Sequence, residues 1–322
     1  MLGKLAASAA LLIAVFSTPV VADTYPGKPI RLIVGAGTGS VSDVRSRWIA
    51  IRLARELGQP VVVENRPGAG GSIAAEQAAR SPADGHTLFL VHMGILVAPE
   101  IYKNLGFDPV MDFAPISRIS RGYGVLTVHP GVPATTVQEL IKVARENPGK
   151  LNYGSTGIGG PPWMMGELFK RLARIEVTHV PYKGGGELLT DLIGGRIDYW
   201  LEGALVQVPH IRTGKLRALA VTSPQRLPIL PHVPTLVEAG LSDFEFEGWT
   251  GLVAPAATPR PVIARLNAAM ANVLSSREAV EWLADQANEP AIDTPEGFAA
   301  FMRSERAKWA PVVREANAKA QP

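Results

Sequence analysis

The sequence predicts an α/β protein of two lobes, each a mainly parallel sheet flanked by helices, with the second lobe inserted into the first. Three observations carry this. From Arg31 onward, short apolar runs alternate with helical spacing through glycine-rich turns, the order that builds parallel sheets covered by helices. Residues 114–120 and 124–128 are strand-like runs with no room between them for a crossover helix, so the chain leaves the first lobe there. Residues 245–254 read as a strand long enough to return, and two crossing strands suit hinge closure around a ligand. The expected division is a signal peptide over 1–22, a first lobe over 23–122 and 251–322, and a second lobe over 123–250.

The N-terminus stands apart. Lys4 precedes an apolar run over residues 5–16, and Thr18-Pro19-Val20-Val21-Ala22 ends in small residues. This is the layout of a secretory signal cut after Ala22. The run is shorter than the roughly 20 apolar residues of a membrane span. No second long apolar run follows, so the mature chain is expected to be exported without a membrane span. There is no cysteine, which excludes a disulfide framework, a thiolate zinc site and a cysteine nucleophile. Hydrophobic residues make up 47% of 322, ample for a core. The formal net charge of +3, less the one charge of Lys4, leaves +2. That is too small, and the basic residues too scattered, for a nucleic-acid partner.

Residues 31–34 form a short strand, Gly35-Ala36-Gly37-Thr38-Gly39-Ser40 a turn of little bulk, and the chain from Ser42 a helix. Val44, Trp48, Ile51 and Ala54 mark its expected buried face, with Arg45, Arg52 and Arg55 largely off it. Gly58 ends the helix. A strand at 60–63, a glycine loop at 65–71, a helix at 73–80 and a strand at 87–91 complete the first run. In the second lobe come helix 136–147, strand 151–154, a glycine loop to Gly160, helix 163–172 and strand 176–180. Loop 183–186, helix 187–193 and strands 196–201 and 216–221 follow, with 209–212 in a short helix. Helices at 261–274, 278–285 and 295–317 close the chain, with prolines suited to first turns. Residues 31–48 and 150–169 share the order strand, glycine loop, helix. A helix start leaves N–H groups unpaired and carries a positive dipole end, so two such starts across a cleft form a pincer for an anion.

Other chemistries fit poorly. Gly35-Ala36-Gly37 with Glu64 after the second strand hints at a dinucleotide site, but Ser40 stands where the third glycine belongs. Ser155 in Gly154-Ser155-Thr156-Gly157 is not a nucleophile elbow. The six histidines show no i, i+4 pair and no H-E-x-x-H. No metal, cofactor or acid–base constellation is expected. His92, at the end of a first-lobe strand, is equally a cleft residue or a structural one.

At finer grain the chain resembles the Bug-type extracytoplasmic solute receptors of the tripartite tricarboxylate transporter family. The matching segments are Tyr25-Pro26-Gly27-Lys28-Pro29-Ile30-Arg31, the run from Gly58-Gln59-Pro60 through Asn65-Arg66-Pro67-Gly68-Ala69-Gly70-Gly71, and Asp108-Pro109-Val110-Met111-Asp112-Phe113-Ala114-Pro115. Pro148-Gly149-Lys150-Leu151-Asn152-Tyr153, His179-Val180-Pro181-Tyr182-Lys183-Gly184 and Gly214-Lys215-Leu216-Arg217-Ala218-Leu219-Ala220-Val221-Thr222-Ser223 extend the match over nearly the whole mature chain. The resemblance implies a two-lobed periplasmic binding protein of type II. It would hold a carboxylate between a loop from each lobe, largely through backbone groups and water, and deliver it to a permease of large and small subunits.

Departures from the family pattern bear on the ligand. The first loop of such receptors reads like P-F-x-P-G-G-x-x-D; here only Gly39 and Asp43 match, while Thr38 and Ser40 add hydroxyls. Asp43 favours the helix start or touches ligand. Arg47 matches a structural position, and Arg45 is an addition that reads as surface charge. In the second lobe, Gly160, Pro161, Pro162 and Trp163 replace polar residues, and proline has no N–H to donate. Trp163 then either stacks on a flat ligand or packs between the lobes. Met93 stands where Asn is common, and Glu202 where Asp is common. Glu202 meets a ligand amine, hydroxyl or protonated group, or lies at the surface. Lys183 shapes its loop or supplies a cation.

The expected ligand-binding set is therefore Ala36, Gly37, Thr38, Gly39, Ser40, Asp43, His92, Met93, Ser155, Thr156, Gly157, Trp163, Lys183 and Glu202. The reading is a monomeric, non-enzymatic periplasmic receptor for a small organic acid, with an aromatic or mixed carboxylate favoured over an aliphatic dicarboxylate. A receptor coupled to a sensor kinase is the alternative of another class.

Overall fold

The computed structural model describes residues 25–38, 40–182, 184–244 and 246–320, with side chains to residue 317. The expected signal peptide, Gly39 and Lys183 lie outside the described residues.

The chain opens with β1 (Ile30–Val34), α1 (Val41–Leu57), β2 (Val61–Asn65), a 3-10 turn (Ala69–Gly71), α2 (Ser72–Ala79), β3 (Thr87–His92) and a short α3 (Met93–Leu96). Strands β4 (Phe113–Gly122) and β5 (Gly124–Val128) follow, separated only by Tyr123. Then come α4 (Val137–Glu146), β6 (Asn152–Ser155), α5 (Pro161–Ala173), β7 (Thr178–Pro181), α6 (Gly185–Ile193), β8 (Tyr199–Gly203), α7 (Ala204–Arg212) and β9 (Arg217–Val221). The return strand β10 (Gly248–Pro255), α8 (Arg260–Leu274), α9 (Arg277–Ala284), β11 (Asn288–Pro290) and α10 (Pro295–Ala320) end the chain. Local chemistry sets several of these limits. Ser40 caps α1 through its side chain, and Gly58 closes it in the left-handed region. Thr136 and Glu139 form a reciprocal capping box on α4.

Among the described residues the strands form two sheets, ordered β11-β4-β10-β3-β1-β2 and β7-β6-β8-β5-β9. Both are mixed, which corrects the expectation of mainly parallel sheets. β1 pairs in parallel with β2 and β3, but β10 runs antiparallel to β3 and β4. Likewise β6 pairs in parallel with β7 and β8, while β5 runs antiparallel to β8 and β9. The cause is the crossing itself. A chain that enters the second lobe directly from β4 and returns through β10 lays these strands beside each other in opposite directions. Each sheet thus has a parallel half, built by strand–helix alternation, and an antiparallel half at the crossing.

The inner strands β1, β3 and β10 of the first sheet are mostly buried on both faces, as in sheets covered on both sides. Leu32, Val34, Leu88, Leu90 and Leu252 point to a core shared with Ile49 and Leu53 of α1 and Leu266 and Met270 of α8. Ile33, Phe89, Val91 and Val253 point the other way, to Ala74 and Ala78 of α2 and Phe298 and Met302 of α10. This second core runs on into the second lobe through Tyr153, Trp163 and Tyr199.

Helix α1 is rotated from its expected phase. Its buried side holds Arg45, Ser46, Ile49, Leu53 and Leu57, whereas Val44 and Ile51 are exposed. Trp48 stacks on Trp282 of α9 with ring centroids 4.4 Å apart, and the Arg52 guanidinium lies over the Trp48 ring. Apolar residues occur all round this helix, so spacing alone did not fix which stripe meets the sheet.

Candidate functional site

In each lobe the parallel strands end on one edge, and that edge carries the irregular segments where α/β folds take ligands. In the first lobe these are residues 35–38 and 40 after β1, 66–71 after β2, and the β3–α3 junction at His92. In the second they are 156–160 after β6, Tyr182 and Gly184 after β7, and the β8–α7 junction at Glu202 and Gly203. The two edges touch. A Cβ on Gly94, at the start of α3, would lie 2.7 Å from the carbonyl oxygen of Gly159.

The first loop is held from beneath. Gly35 approaches the second glycine loop so closely that a Cβ would sit 2.6 Å from Gly71 Cα. Asn65 Nδ2 donates to the Ala36 carbonyl at 2.9 Å, and Arg47 Nη2 donates to Asn65 Oδ1 at 3.0 Å. Gly37 and Thr38 are exposed, and Ser40 is half-buried. The Ser40 hydroxyl accepts from the Asp43 N–H, and the Ser40 carbonyl from the Val44 N–H. The N–H groups of Val41 and Ser42 receive no acceptor among the described residues, so they are the donors the helix start offers. Asp43 is 2% exposed and paired with Arg47 at 2.9 Å. It braces the helix start.

Arg45 is not a surface charge. It is 5% exposed, and its Nη1 donates to Thr250 Oγ1 at 3.1 Å. Thr250 Oγ1 lies 3.2 Å from Ser120 Oγ, and in the sheet Thr250 sits directly opposite His92. Arg45 Nε has no hydrogen-bond partner, and no carboxylate comes within ion-pair distance of Arg45 among the described residues. Burial pulls this guanidinium down to about 10, so it stays a cation at neutral pH. Arg45, Thr250 and Ser120 were absent from the expected set. The only sequence signal was that Arg45 departs from the receptor pattern.

His92 Nδ1 accepts from the Gly94 N–H at 3.2 Å and caps α3, which leaves the ring proton on Nε2. Burial lowers this histidine to about 4, so it is neutral at pH 7. Met93 beside it is 1% exposed and packs in the core cluster.

In the second lobe Ser155 is fully buried, its Oγ 2.7 Å from His179 Nε2 and accepting from the Gly157 N–H. His179 is also lowered to about 4 by burial. Buried so, the pair fixes the 156–160 loop and presents no nucleophile. Thr156 is exposed, and Gly157 adopts φ 114°, a turn that favours glycine. Gly160 caps α5 without a side chain, and Pro161 and Pro162 occupy the first turn, so this helix start is poor in donors. Trp163 is 2% exposed within the core that joins the lobes. Of the two expected placements, packing between the lobes describes the ring here. Glu202 is half-buried, accepts from the Gly203 N–H at 2.7 Å, and burial raises its carboxyl to about 7.

A separate cavity of about 560 Å³ lies between the C-terminal turn of α5 and α10, lined by Lys170, Arg171, Arg174, Glu176 and Glu315 among others. It contains none of the expected ligand residues and both signs of charge. Among the described residues no helix is long and apolar enough to cross a membrane.

Comparison with known proteins agrees with this architecture. Residues 46–318 match the model of the tripartite tricarboxylate transporter family receptor. Protein BugT of Bordetella pertussis is 36% identical over 305 residues, covering 94% of this chain and 94% of that one. The structure of Rpa4515 from R. palustris with adipate superposes with a TM-score of 0.83 at 35% identity, covering 90% of this chain and 97% of that one. MatC (Rpa3494) from Rhodopseudomonas palustris with bound malate gives 0.81 at 32% identity, covering 90% and 100%. The fold is that of a two-lobed periplasmic binding protein of type II. The chain belongs to the Bug-type receptors of the tripartite tricarboxylate transporter family, which are solute-binding proteins and not enzymes.

Proposed function

We propose that this receptor closes its two lobes, 23–122 with 251–322 and 123–250, on a small organic acid and hands it to a membrane permease of large and small subunits. The observation that carries the reading is the start of α1. Two N–H groups, Val41 and Ser42, have no acceptor among the described residues at the positive end of a 17-residue helix, on the strand edge that faces the second lobe. Ala36, Gly37, Thr38 and Ser40 form that jaw. Thr156 and Gly157 form the opposing one, with Ser155 bracing it, and His92 and Glu202 lie at the ends of their strands. Asp43 serves the helix start. The segment around Lys4, residues 5–16 and Ala22 supports export to the periplasm, where the receptor works as a monomer.

The ligand is proposed to be aliphatic. Trp163 and Met93, on which an aromatic preference rested, are buried in the core. The related receptors solved with adipate and malate hold aliphatic dicarboxylates. A thermal-shift screen of small mono-, di- and tricarboxylates against their amides tests the reading. A ligand at a hundredfold excess over its dissociation constant stabilises by about 2.7 kcal/mol, readily seen as a higher melting temperature. A shift from neutral compounds and from no acid would contradict it.

A further inference from the structure

Arg45 sits where three physical effects oppose a cation in the unliganded protein. It is nine-tenths buried and beyond, at 5% exposure, and removing a cation from water is costly without an anion to offset it. No carboxylate is paired with it among the described residues, and its Nε has no acceptor. It lies in the second turn of α1, near the positive end of the helix dipole, where a cation is disfavoured. Helical Cα–Cβ bonds tilt toward the N-terminus, and the Arg45 guanidinium reaches Thr250, the residue opposite His92 at the end of β3.

The guanidinium is also held in place. Thr250 accepts from Nη1 at 3.1 Å, and Ser120 stands 3.2 Å from Thr250. These two residues belong to β10 and β4, the strands through which the chain leaves and re-enters the first lobe. A core-filling arginine would be expected to have its five donors met by protein acceptors. Here one is bonded to a neutral hydroxyl and Nε is left over. An anion at the head of α1 reverses all three costs at once: it supplies the missing counter-charge, takes up open donors and opposes the dipole.

We infer that Arg45 is the charge partner of the bound acid, so that this cleft selects an ionised carboxylate by a formal charge and discriminates against its neutral amide. The inference rests on the cleft being the binding site proposed above.

The test uses Arg45→Met, which keeps an unbranched apolar stem and removes the charge, and Arg45→Lys, which keeps a charge. Malate, adipate and benzoate are titrated into wild-type protein by calorimetry, and the tightest of them is carried to the variants. The expected result is a dissociation constant raised roughly ten- to a hundredfold in Arg45→Met, partly recovered in Arg45→Lys. The unliganded Arg45→Met protein melts at or above the wild-type temperature, because an uncompensated charge has gone. Unchanged affinity in Arg45→Met overturns the inference and leaves the acid-binding reading standing. A lower unliganded melting temperature marks a structural arginine and also overturns it. Failure of every acid to bind wild-type protein overturns the reading itself, and the inference with it.

Discussion

Gly94 of the first lobe lies so close to Gly159 of the second that a Cβ on Gly94 would stand 2.7 Å from the Gly159 carbonyl oxygen. The contact joins the start of α3 to the loop before α5. Backbone meets backbone there, so neither side yields as a flexible side chain would. The same junction carries His92, whose Nδ1 fixes the Gly94 N–H. A larger residue at 94 would therefore have to push the Gly159 backbone away.

Gly94→Ala is expected to hold the lobes apart. Affinity for the best acid should fall by about tenfold or more, the equivalent of about 1.4 kcal/mol. Small-angle scattering should show less compaction on ligand addition than in the wild type. Wild-type affinity in this variant would mean that the contact is no part of the ligand-bound form.

Stability should carry a pH signature from Glu202. Its carboxyl is raised from 4.5 to about 7 by burial, so between those values the folded protein binds a proton that the unfolded chain does not. Stability therefore falls as pH rises through this window and levels above it. His92 and His179 act oppositely. Both are lowered from 6.5 to about 4, so their contribution is full above 6.5 and is lost as pH falls toward 4. Glu202→Gln removes only the first component. Melting temperatures of this variant from pH 5 to 8 should decline less toward the alkaline end than those of wild type, and parallel curves would refute the assignment.

Trp163 offers a clean separation of packing from binding. As a core residue at 2% exposure, its replacement by alanine should cost about 3–5 kcal/mol. Trp163→Phe keeps much of the packing, and its acid affinity should stay within a factor of about two, less than 0.5 kcal/mol. A large affinity loss in Trp163→Phe at near-normal stability would restore the ring as a ligand contact.

Much of this molecule is written locally. Alternating strand and helix segments, the glycine loops at 35–40 and 156–160, and the unequal helix starts follow from residues within one turn of each other. Ser40 and Gly58 bound α1, while Pro161 and Pro162 strip donors from α5. What local pattern did not carry is non-local pairing. The antiparallel halves of the sheets depend on where β10 docks, more than a hundred residues after β4. The three-residue β11 forms only because β4 offers an edge. Arg45 reads as a surface charge until Thr250, 205 residues away, is seen to receive it. The phase of α1 was hidden by apolar residues on every side, and Val44 and Ile51 prove to be the outward ones. Trp163, placed at a helix start beside a cleft loop, turns inward because the core joining the lobes has room for it.

The most direct test of the central claim is the structure of the protein with its tightest-binding acid. One carboxylate oxygen should lie within roughly 2.7–3.2 Å of the Val41 or Ser42 N–H, with the rest of the ligand enclosed between residues 35–40 and 156–160. An acid bound instead in the groove between α5 and α10, with the head of α1 left to solvent, would contradict the account.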